Sequence, residues 1–166
     1  MRRYRSKATK SPVSLQSLHT NCSCVHPDCR LKGKALLVLP PGVECLACDS
    51  CVLFPNNKTR PDYVIYIGIN GYIPQWVLVE AKRSLKNEHA VHQIEKGLER
   101  MTQNLAAYNV WPRPQKLLGL LVHNRKKVRT SDVVLSRKYA LKYGGLTGRV
   151  RLCPYGTDVH DYMIPE

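Results

Sequence analysis

The stretch that decides the fold is residues 60–84, RPDYVIYIGINGYIPQWVLVEAKRS. Its first half, DYVIYIGI, is rich in β-branched and aromatic residues and predicts a strand. Asn70-Gly71 follows, a pair that suits the positive φ angles of a tight hairpin turn. The segment YIPQWVLVEAK then predicts the return strand, in which Pro74 is tolerated because it lies near the start. Residues 60–84 are therefore expected to form an antiparallel hairpin.

Three charged side chains are expected at the open end of this hairpin. Side chains alternate along a strand, so Glu80 and Lys82 point to the same face. Asp62 begins the first strand and lies across the turn from them. In a tight two-residue hairpin position 62 pairs with position 79, so Glu80 is one residue out of register. Either a bulge near Pro74 or a wider turn is needed to align the two carboxylates.

Two carboxylates at one end of a sheet can hold Mg²⁺, a hard cation that prefers oxygen ligands. A lysine beside them can orient an attacking water. The same charges also fit a second interpretation, a surface salt bridge at the end of a hairpin, which would contribute little to stability. In that interpretation Asp62 only follows Pro61 in a turn, and Gln93 is a solvated helix residue.

The residues after the hairpin predict helix, strand, helix and strand. Residues 87–109 carry apolar residues at steps of three and four, with Asn87 as the cap. Residues 116–124, KLLGLLVHN, predict a buried strand. Residues 131–145 predict a helix capped by Ser131 and ended by Gly144-Gly145. Residues 149–156, RVRLCPYG, predict the last strand.

Two segments before the hairpin are shorter. Residues 35–42, ALLVLPPG, predict a buried strand stopped by prolines. Residues 43–54 are ambiguous, because their cysteines at 45, 48 and 51 recur every three residues, as on one helix face. The expected fold is α/β, with a central mixed sheet of about four or five strands flanked by helices. A basic, Cys/His-rich arm is expected at 1–34, and the main domain at 35–166.

Charge is the broadest functional clue. The chain has 26 Lys and Arg against 12 Asp and Glu, a net charge of +14. Such an excess attracts polyanions, and nucleic acid is the usual one; a basic protein kept soluble by its charge and a membrane-surface binder are the alternatives. The candidate contacts to DNA phosphates are Arg2, Arg3, Arg5, Lys126, Lys127, Arg129, Arg137 and Lys138.

The location is inferred from what the chain does not contain. No apolar run approaches the roughly 18–20 residues of a membrane span. The first residues, MRRYRSKATKSPVS, lack the apolar core of a secretory signal. We expect an intracellular protein, in the cytoplasm, nucleoid, nucleus or an organelle, without a membrane partner. A mitochondrial transit peptide at the N-terminus stays open.

The cysteines suggest a second metal. The chain has seven, and a C-x-C-x-H-x-x-C pattern is formed by Cys22, Cys24, His26 and Cys29. These four could hold a structural zinc ion that braces the N-terminal arm. An iron–sulfur cluster and simple burial of small side chains are the other interpretations. Cys153 is expected to be a core residue of the last strand.

Pro61-Asp62 and Glu80-Ala81-Lys82, followed by a helix carrying Gln93, resemble the motif of the PD-(D/E)XK nuclease superfamily. The resemblance implies a restriction-endonuclease-like core over residues 60–125. It implies that Asp62 and Glu80 bind Mg²⁺ or Mn²⁺, that Lys82 positions the nucleophilic water and that Gln93 supports the site or touches the substrate. Many members carry a further acidic residue on a helix before the first strand, and Glu44 is the candidate here.

The expected activity is divalent-metal-dependent hydrolysis of DNA phosphodiesters by an endonuclease. A chain of this size resembles Holliday-junction resolvases and small restriction or homing endonucleases, which implies a homodimer and leaves open whether branched structure or sequence is recognised. The alternative is a non-catalytic, basic nucleic-acid-binding module stabilised by metal at its Cys/His pattern.

Overall fold

The computed structural model describes residues 25–26, 29–31, 34–48, 59–82, 87–108, 113–123 and 139–166. Within these ranges the chain forms ten strands, one α-helix and one 3-10 helix. The strands are β1 (Val25–His26), β2 (Cys29–Leu31), β3 (Lys34–Val38), β4 (Glu44–Ala47), β5 (Tyr63–Ile67), β6 (Gln75–Lys82), β7 (Lys116–His123), β8 (Ala140–Tyr143), β9 (Leu146–Pro154) and β10 (Thr157–Asp158). The helix α1 spans Asn87–Tyr108, and the 3-10 helix spans Val159–Tyr162.

Seven of these strands form one mixed sheet, in the order β1-β4-β5-β6-β7-β9-β8. Strand β4 runs antiparallel to β5, and β5 runs antiparallel to β6. Helix α1 then carries the chain back, so β7 lies parallel to β6, and β9 lies parallel to β7. Parallel neighbours need such a crossover. Consequently β6, β7 and β9 all end at one edge of the sheet, called here the carboxyl edge, and begin at the opposite, amino edge.

The sheet separates two apolar layers. On one face Val64, Leu78 and Leu121 pack with Ile94 and other buried residues of α1. On the other face the buried side chains of β6 and β7 pack against Leu37 of β3 and Val159 of the 3-10 helix. The small sheet β10-β3-β2 contributes Leu37 to this second layer. Helix α1 therefore covers only one face.

The hairpin β5–β6 is confirmed, and its register answers the alignment problem. Tyr63 pairs with Val79 and Ile67 with Gln75, without an irregularity between them. Residues 68–74 connect the two strands, and the Tyr72 N–H donates to the Ile69 carbonyl oxygen at 3.2 Å in a turn. The connection is thus wider than a two-residue Asn-Gly turn. One step beyond the last pair, Asp62 comes opposite Glu80.

The wider turn has a partner elsewhere in the chain. The Ile73 N–H donates to the Ile164 carbonyl oxygen at 2.8 Å, and the Glu166 N–H donates to the Gly71 carbonyl oxygen at 3.2 Å. Tyr72 and Pro165 form a β-bridge at the same place. Residues 71–73 therefore pair with residues 164–166 instead of with β5.

One ambiguous segment and part of one predicted helix form strands. Glu44–Ala47 is strand β4, in which Cys45 packs in the layer opposite α1 while Cys48, just beyond the strand, packs beneath α1. Their spacing of three therefore reflects an extended chain with alternating faces, and not one helix face. Cys51 lies outside the described residues.

The second correction concerns Gly144-Gly145. These glycines have φ of +51° and +83° and form a two-residue turn between Tyr143 and Leu146, which pair with each other. Two consecutive positive φ angles are the signature of a tight hairpin turn. Ala140–Tyr143 is consequently strand β8, and residues 131–138 of the predicted helix lie outside the described residues. With β1, β4 and β8 included, the sheet has more strands than the four or five expected.

Cys153 confirms its predicted place in the core and gives a test by pH. It is fully buried, and burial raises the pKa of its thiol to about 12. Because the folded pKa lies above the ordinary value of 9.0, this thiol stabilises the fold below pH 9. That contribution is lost as the pH rises from about 9 towards 12. We expect the free energy of unfolding, measured by urea titration, to fall over this window less steeply in Cys153→Ala; identical slopes would contradict the assignment.

Candidate active site at the carboxyl edge

Asp62 and Glu80 meet at the carboxyl edge of the sheet. The Asp62 N–H donates to Glu80 Oε2 at 3.2 Å, and the Ala81 N–H donates to Asp62 Oδ2 at 2.7 Å. Each carboxylate thus accepts a hydrogen bond from the backbone of the other strand. Glu80 is only 2% exposed, whereas Asp62 is half-buried. The two residues that the sequence predicts as metal ligands are therefore brought together.

Helix α1 holds the segment that carries Asp62. The Gln93 amide donates to the Arg60 carbonyl oxygen at 3.0 Å, and the Arg100 guanidinium donates to the Thr59 carbonyl oxygen. Between these two bonds, Pro61 packs on the helix at Gly97. A Cβ atom at Gly97 would lie 2.4 Å from Pro61 Cδ. Residues 59–62 therefore approach the helix closely only because position 97 has no side chain.

A third hydrogen bond fixes the opposite side of Asp62. The Cys48 N–H donates to the Asp62 carbonyl oxygen at 2.9 Å. Because Cys48 follows β4 directly, the Asp62 backbone is held between β4 and the helix while its carboxylate turns to β6. Gln93, which the sequence predicts to support the site, is bonded to the backbone two residues before Asp62.

Lys82 is the last residue of β6 and is in register with His123, the last residue of β7. Alternation along β6 places Lys82 on the face of Glu80, and the described side chains do not include that of Lys82. His123 is 4% exposed. His123 is not among the predicted site residues. Its place at the end of an apolar strand could have indicated one, since ligands of α/β sheets bind at the carboxyl ends of strands.

Glu44 does not join this group. It lies on strand β4, opposite Tyr66, and not on a helix. Tyr66 is four residues along β5 from Asp62, which corresponds to about 13 Å. The prediction that Glu44 completes the site is therefore wrong, because the segment that carries it is extended. Among the side chains that the structure describes, no group of three or more His, Cys, Asp and Glu could hold a metal ion.

All the predicted DNA-contact residues lie outside the described residues: Arg2, Arg3, Arg5, Lys126, Lys127, Arg129, Arg137 and Lys138. So do two of the four predicted zinc ligands, Cys22 and Cys24. His26 and Cys29 are described only by their backbone. His26 belongs to β1 of the seven-stranded sheet and Cys29 to β2 of the small sheet. The zinc hypothesis stays a prediction.

A basic stripe on α1 lies beside the segment that carries Asp62. His92, Lys96 and Arg100 follow one another at steps of four. They line a cleft of about 180 Å³ together with Thr59, Glu99 and Gln103. Lys96 also donates to Glu99 Oε2 at 2.6 Å, and this hydrogen bond lowers the pKa of the Glu99 carboxyl. This stripe is not among the residues predicted from the sequence, although its spacing of four residues marks one helix face. His89 and His92 are exposed.

The described helix, Asn87–Tyr108, is not apolar enough to span a membrane.

Three comparisons with known proteins were made, and none found a match. A search of protein-family models found no model that matches this sequence. Neither a curated protein nor a solved structure matches it at a significant level.

Proposed function

We propose that this chain is a divalent-metal-dependent DNA endonuclease with a restriction-endonuclease-like core. The observation that carries the proposal is the register of β5 and β6, which brings Asp62 opposite Glu80 at the carboxyl edge. The order of antiparallel hairpin, crossover helix and parallel strand supports the proposed core. Gln93, bonded to the segment that carries Asp62, supports it further.

The donor atoms at this edge fit Mg²⁺ or Mn²⁺. Both cations prefer oxygen ligands, and Mg²⁺ commonly binds through one or two carboxylates and several waters. Asp62 and Glu80 supply two carboxylates, each oriented by a backbone N–H of the other strand. Two carboxylates that face each other across strands repel. A cation between them would remove this repulsion, which is a physical reason for their being kept together.

The chain's own residues have separate tasks in this proposal. Asp62 and Glu80 hold the cation, which when bound polarises the scissile phosphate and makes a coordinated water more acidic. Lys82 orients the attacking water from the same face as Glu80. The stripe of His92, Lys96 and Arg100 holds a neighbouring phosphate in the cleft beside residues 59–62. Gln93 is a positioning residue, since it bonds the backbone and not the substrate.

The substrate and the assembly follow from charge and chemistry. With a net charge of +14, the chain attracts a polyanion at long range. Phosphate contacts give affinity without sequence information, so we infer that branched or otherwise distinctive DNA structure is the preferred substrate.

Cleavage of both strands of a duplex needs two sites, and we propose a homodimer.

The Lys82→Ala variant tests the activity. Supercoiled, linear and branched DNA are incubated with wild-type and variant protein in Mg²⁺, with EDTA as the control. We expect wild-type cleavage that is lost in EDTA and reduced at least about 100-fold in Lys82→Ala, with DNA binding retained in a mobility-shift assay. Equal cleavage by the variant would overturn the role of Lys82. Binding without cleavage of any substrate would favour the non-catalytic module instead.

A further inference from the structure

A second cleft lies at the amino edge of the sheet, on the face opposite α1. Gln75 and Lys116 begin β6 and β7 there, and residues 161–164 form the opposite wall. The cleft has a volume of about 380 Å³, within the range of small-molecule sites. It is remote from Asp62 and Glu80, which lie at the carboxyl edge.

The charge of this cleft is positive. Arg149 and Arg151 lie two residues apart on β9, so they share one face, and they are in register with Leu118 and Leu120 of β7. Together with Lys116 they supply three cations, against the single carboxylate of Asp161. Three cations on neighbouring parallel strands suit a phosphate group, which Arg binds through two parallel hydrogen bonds.

Gln75 is the observation that points to a ligand. It is 2% exposed, yet its side-chain Nε2 has no hydrogen-bond partner among the described residues. A buried donor without a partner destabilises a protein, and such groups are rare in folded chains. The residue also lines the cleft. A ligand with a hydrogen-bond acceptor would satisfy it.

Tyr162 forms the flat part of the wall. The Arg151 guanidinium carbon lies 5.8 Å from the centre of its ring. A tyrosine hydroxyl is neutral at physiological pH and does not repel an anion, and burial is the main cause that raises the pKa of Tyr162 further, to about 12. Met163 and Ile164 continue the wall with apolar atoms. An aromatic ring with apolar neighbours suits the face of a planar base.

We propose that this cleft binds a nucleotide unit, with the phosphate at Lys116, Arg149 and Arg151 and the base along Tyr162, within reach of Gln75. The unit comes either from a free nucleotide or from one position of a single-stranded nucleic acid, since both offer the same chemistry. The inference does not rest on the proposed nuclease activity, because no residue of the carboxyl edge takes part.

Calorimetric titration in EDTA tests the cleft and keeps it separate from any metal-dependent reaction. The probes are the four deoxynucleoside 5′-monophosphates, a twelve-residue oligothymidylate and inorganic phosphate. We expect saturable binding of the nucleotide probes, weakened about tenfold in Arg149→Gln and unchanged in Lys142→Gln, an exposed cation on β8 outside this cleft. Binding of mononucleotides assigns a free nucleotide as the source, and binding of the oligomer alone assigns a strand.

Gln75→Leu separates a ligand contact from a structural role. We expect this variant to lose nucleotide affinity about tenfold while its melting temperature rises, because an unsatisfied buried donor is removed. A lower melting temperature would show that Gln75 serves the fold and would overturn its role. Equal affinity for inorganic phosphate and nucleotides would overturn the base contact. No binding of any probe, or binding that Arg149→Gln and Lys142→Gln weaken equally, would overturn the site.

Discussion

Glu80→Gln is expected to abolish cleavage of DNA and, in the absence of metal, to make the protein more stable. The amide oxygen can still accept the hydrogen bond that Glu80 Oε2 takes from the Asp62 N–H. The negative charge, which a bound cation needs, is gone. A metal supplies several kcal/mol of transition-state stabilisation, so we expect the rate to fall about 10³-fold or more.

The gain in stability has an electrostatic cause. Glu80 is a buried carboxylate opposite a second carboxylate, and like charges across strands destabilise a sheet by up to about 1 kcal/mol. In EDTA we expect Glu80→Gln to melt about 2–4 °C higher than the wild type. Glu95→Gln, which changes an exposed carboxylate on α1, serves as the control and is expected to alter neither property.

Metal binding gives a readout that does not depend on cleavage. A ligand that binds only the folded state raises the melting temperature, and the stabilisation grows with the logarithm of the ratio of ligand concentration to Kd. We therefore expect Mn²⁺ to stabilise the wild type and Glu95→Gln but not Glu80→Gln. A melting temperature of Glu80→Gln below that of the wild type in EDTA would contradict this. It would show that the wild-type Glu80 carboxylate stabilises the fold without a metal.

Gly97→Ala is expected to destabilise the protein and to reduce the cleavage of DNA, although alanine is a better helix former than glycine. Glycine in the middle of a helix costs about 0.5–1 kcal/mol relative to alanine. The new Cβ, however, would lie 2.4 Å from Pro61 Cδ and 3.3 Å from Leu78 Cδ2. Overpacking of this kind costs about 1–3 kcal/mol. It would push Pro61 away from α1 and so disturb the position of Asp62 opposite Glu80.

The double variant decides whether Pro61 is the cause. In a Pro61→Ala background the ring that the methyl group meets is absent and only the 3.3 Å approach to Leu78 Cδ2 remains, so Gly97→Ala should cost much less stability. The effects of Gly97→Ala and Pro61→Ala on the free energy of unfolding are therefore expected to be non-additive. Their interaction energy should offset part of the destabilisation caused by Gly97→Ala alone. Equal destabilisation by Gly97→Ala in both backgrounds, measured by urea titration, would exclude the contact with Pro61.

The sequence predicts the elements around the site well because their signals are local. The β-branched run of β5, the apolar stripe of α1 and the apolar run of β7 each lie within one element, and all three are confirmed. The register that aligns Asp62 with Glu80 is different in kind. It accompanies a wide turn whose residues 71–73 hydrogen-bond to residues 164–166, a long-range contact that no local pattern reports.

The errors have the same origin. Gly144-Gly145 suits both the end of a helix and a hairpin turn, and the pairing of β8 with β9 decides between them. For Glu44, strand pairing with β5 overrides a cysteine spacing that also fits a helix. The cleft at the amino edge combines residues from 75, 116, 149, 151 and 162, so its cations could not be grouped before the strand order was known.

The pairing of residues 71–73 with residues 164–166 also has a consequence for the order of folding. An isolated hairpin would adopt the register that suits Asn70-Gly71 alone, with Asp62 opposite Val79. In the register seen here, the turn pairs with a segment about ninety residues later in the chain. Closing a loop of this length has an entropic cost that slows folding. We therefore expect the two carboxylates to align late in folding, so that a partly folded chain does not yet hold a cation between them.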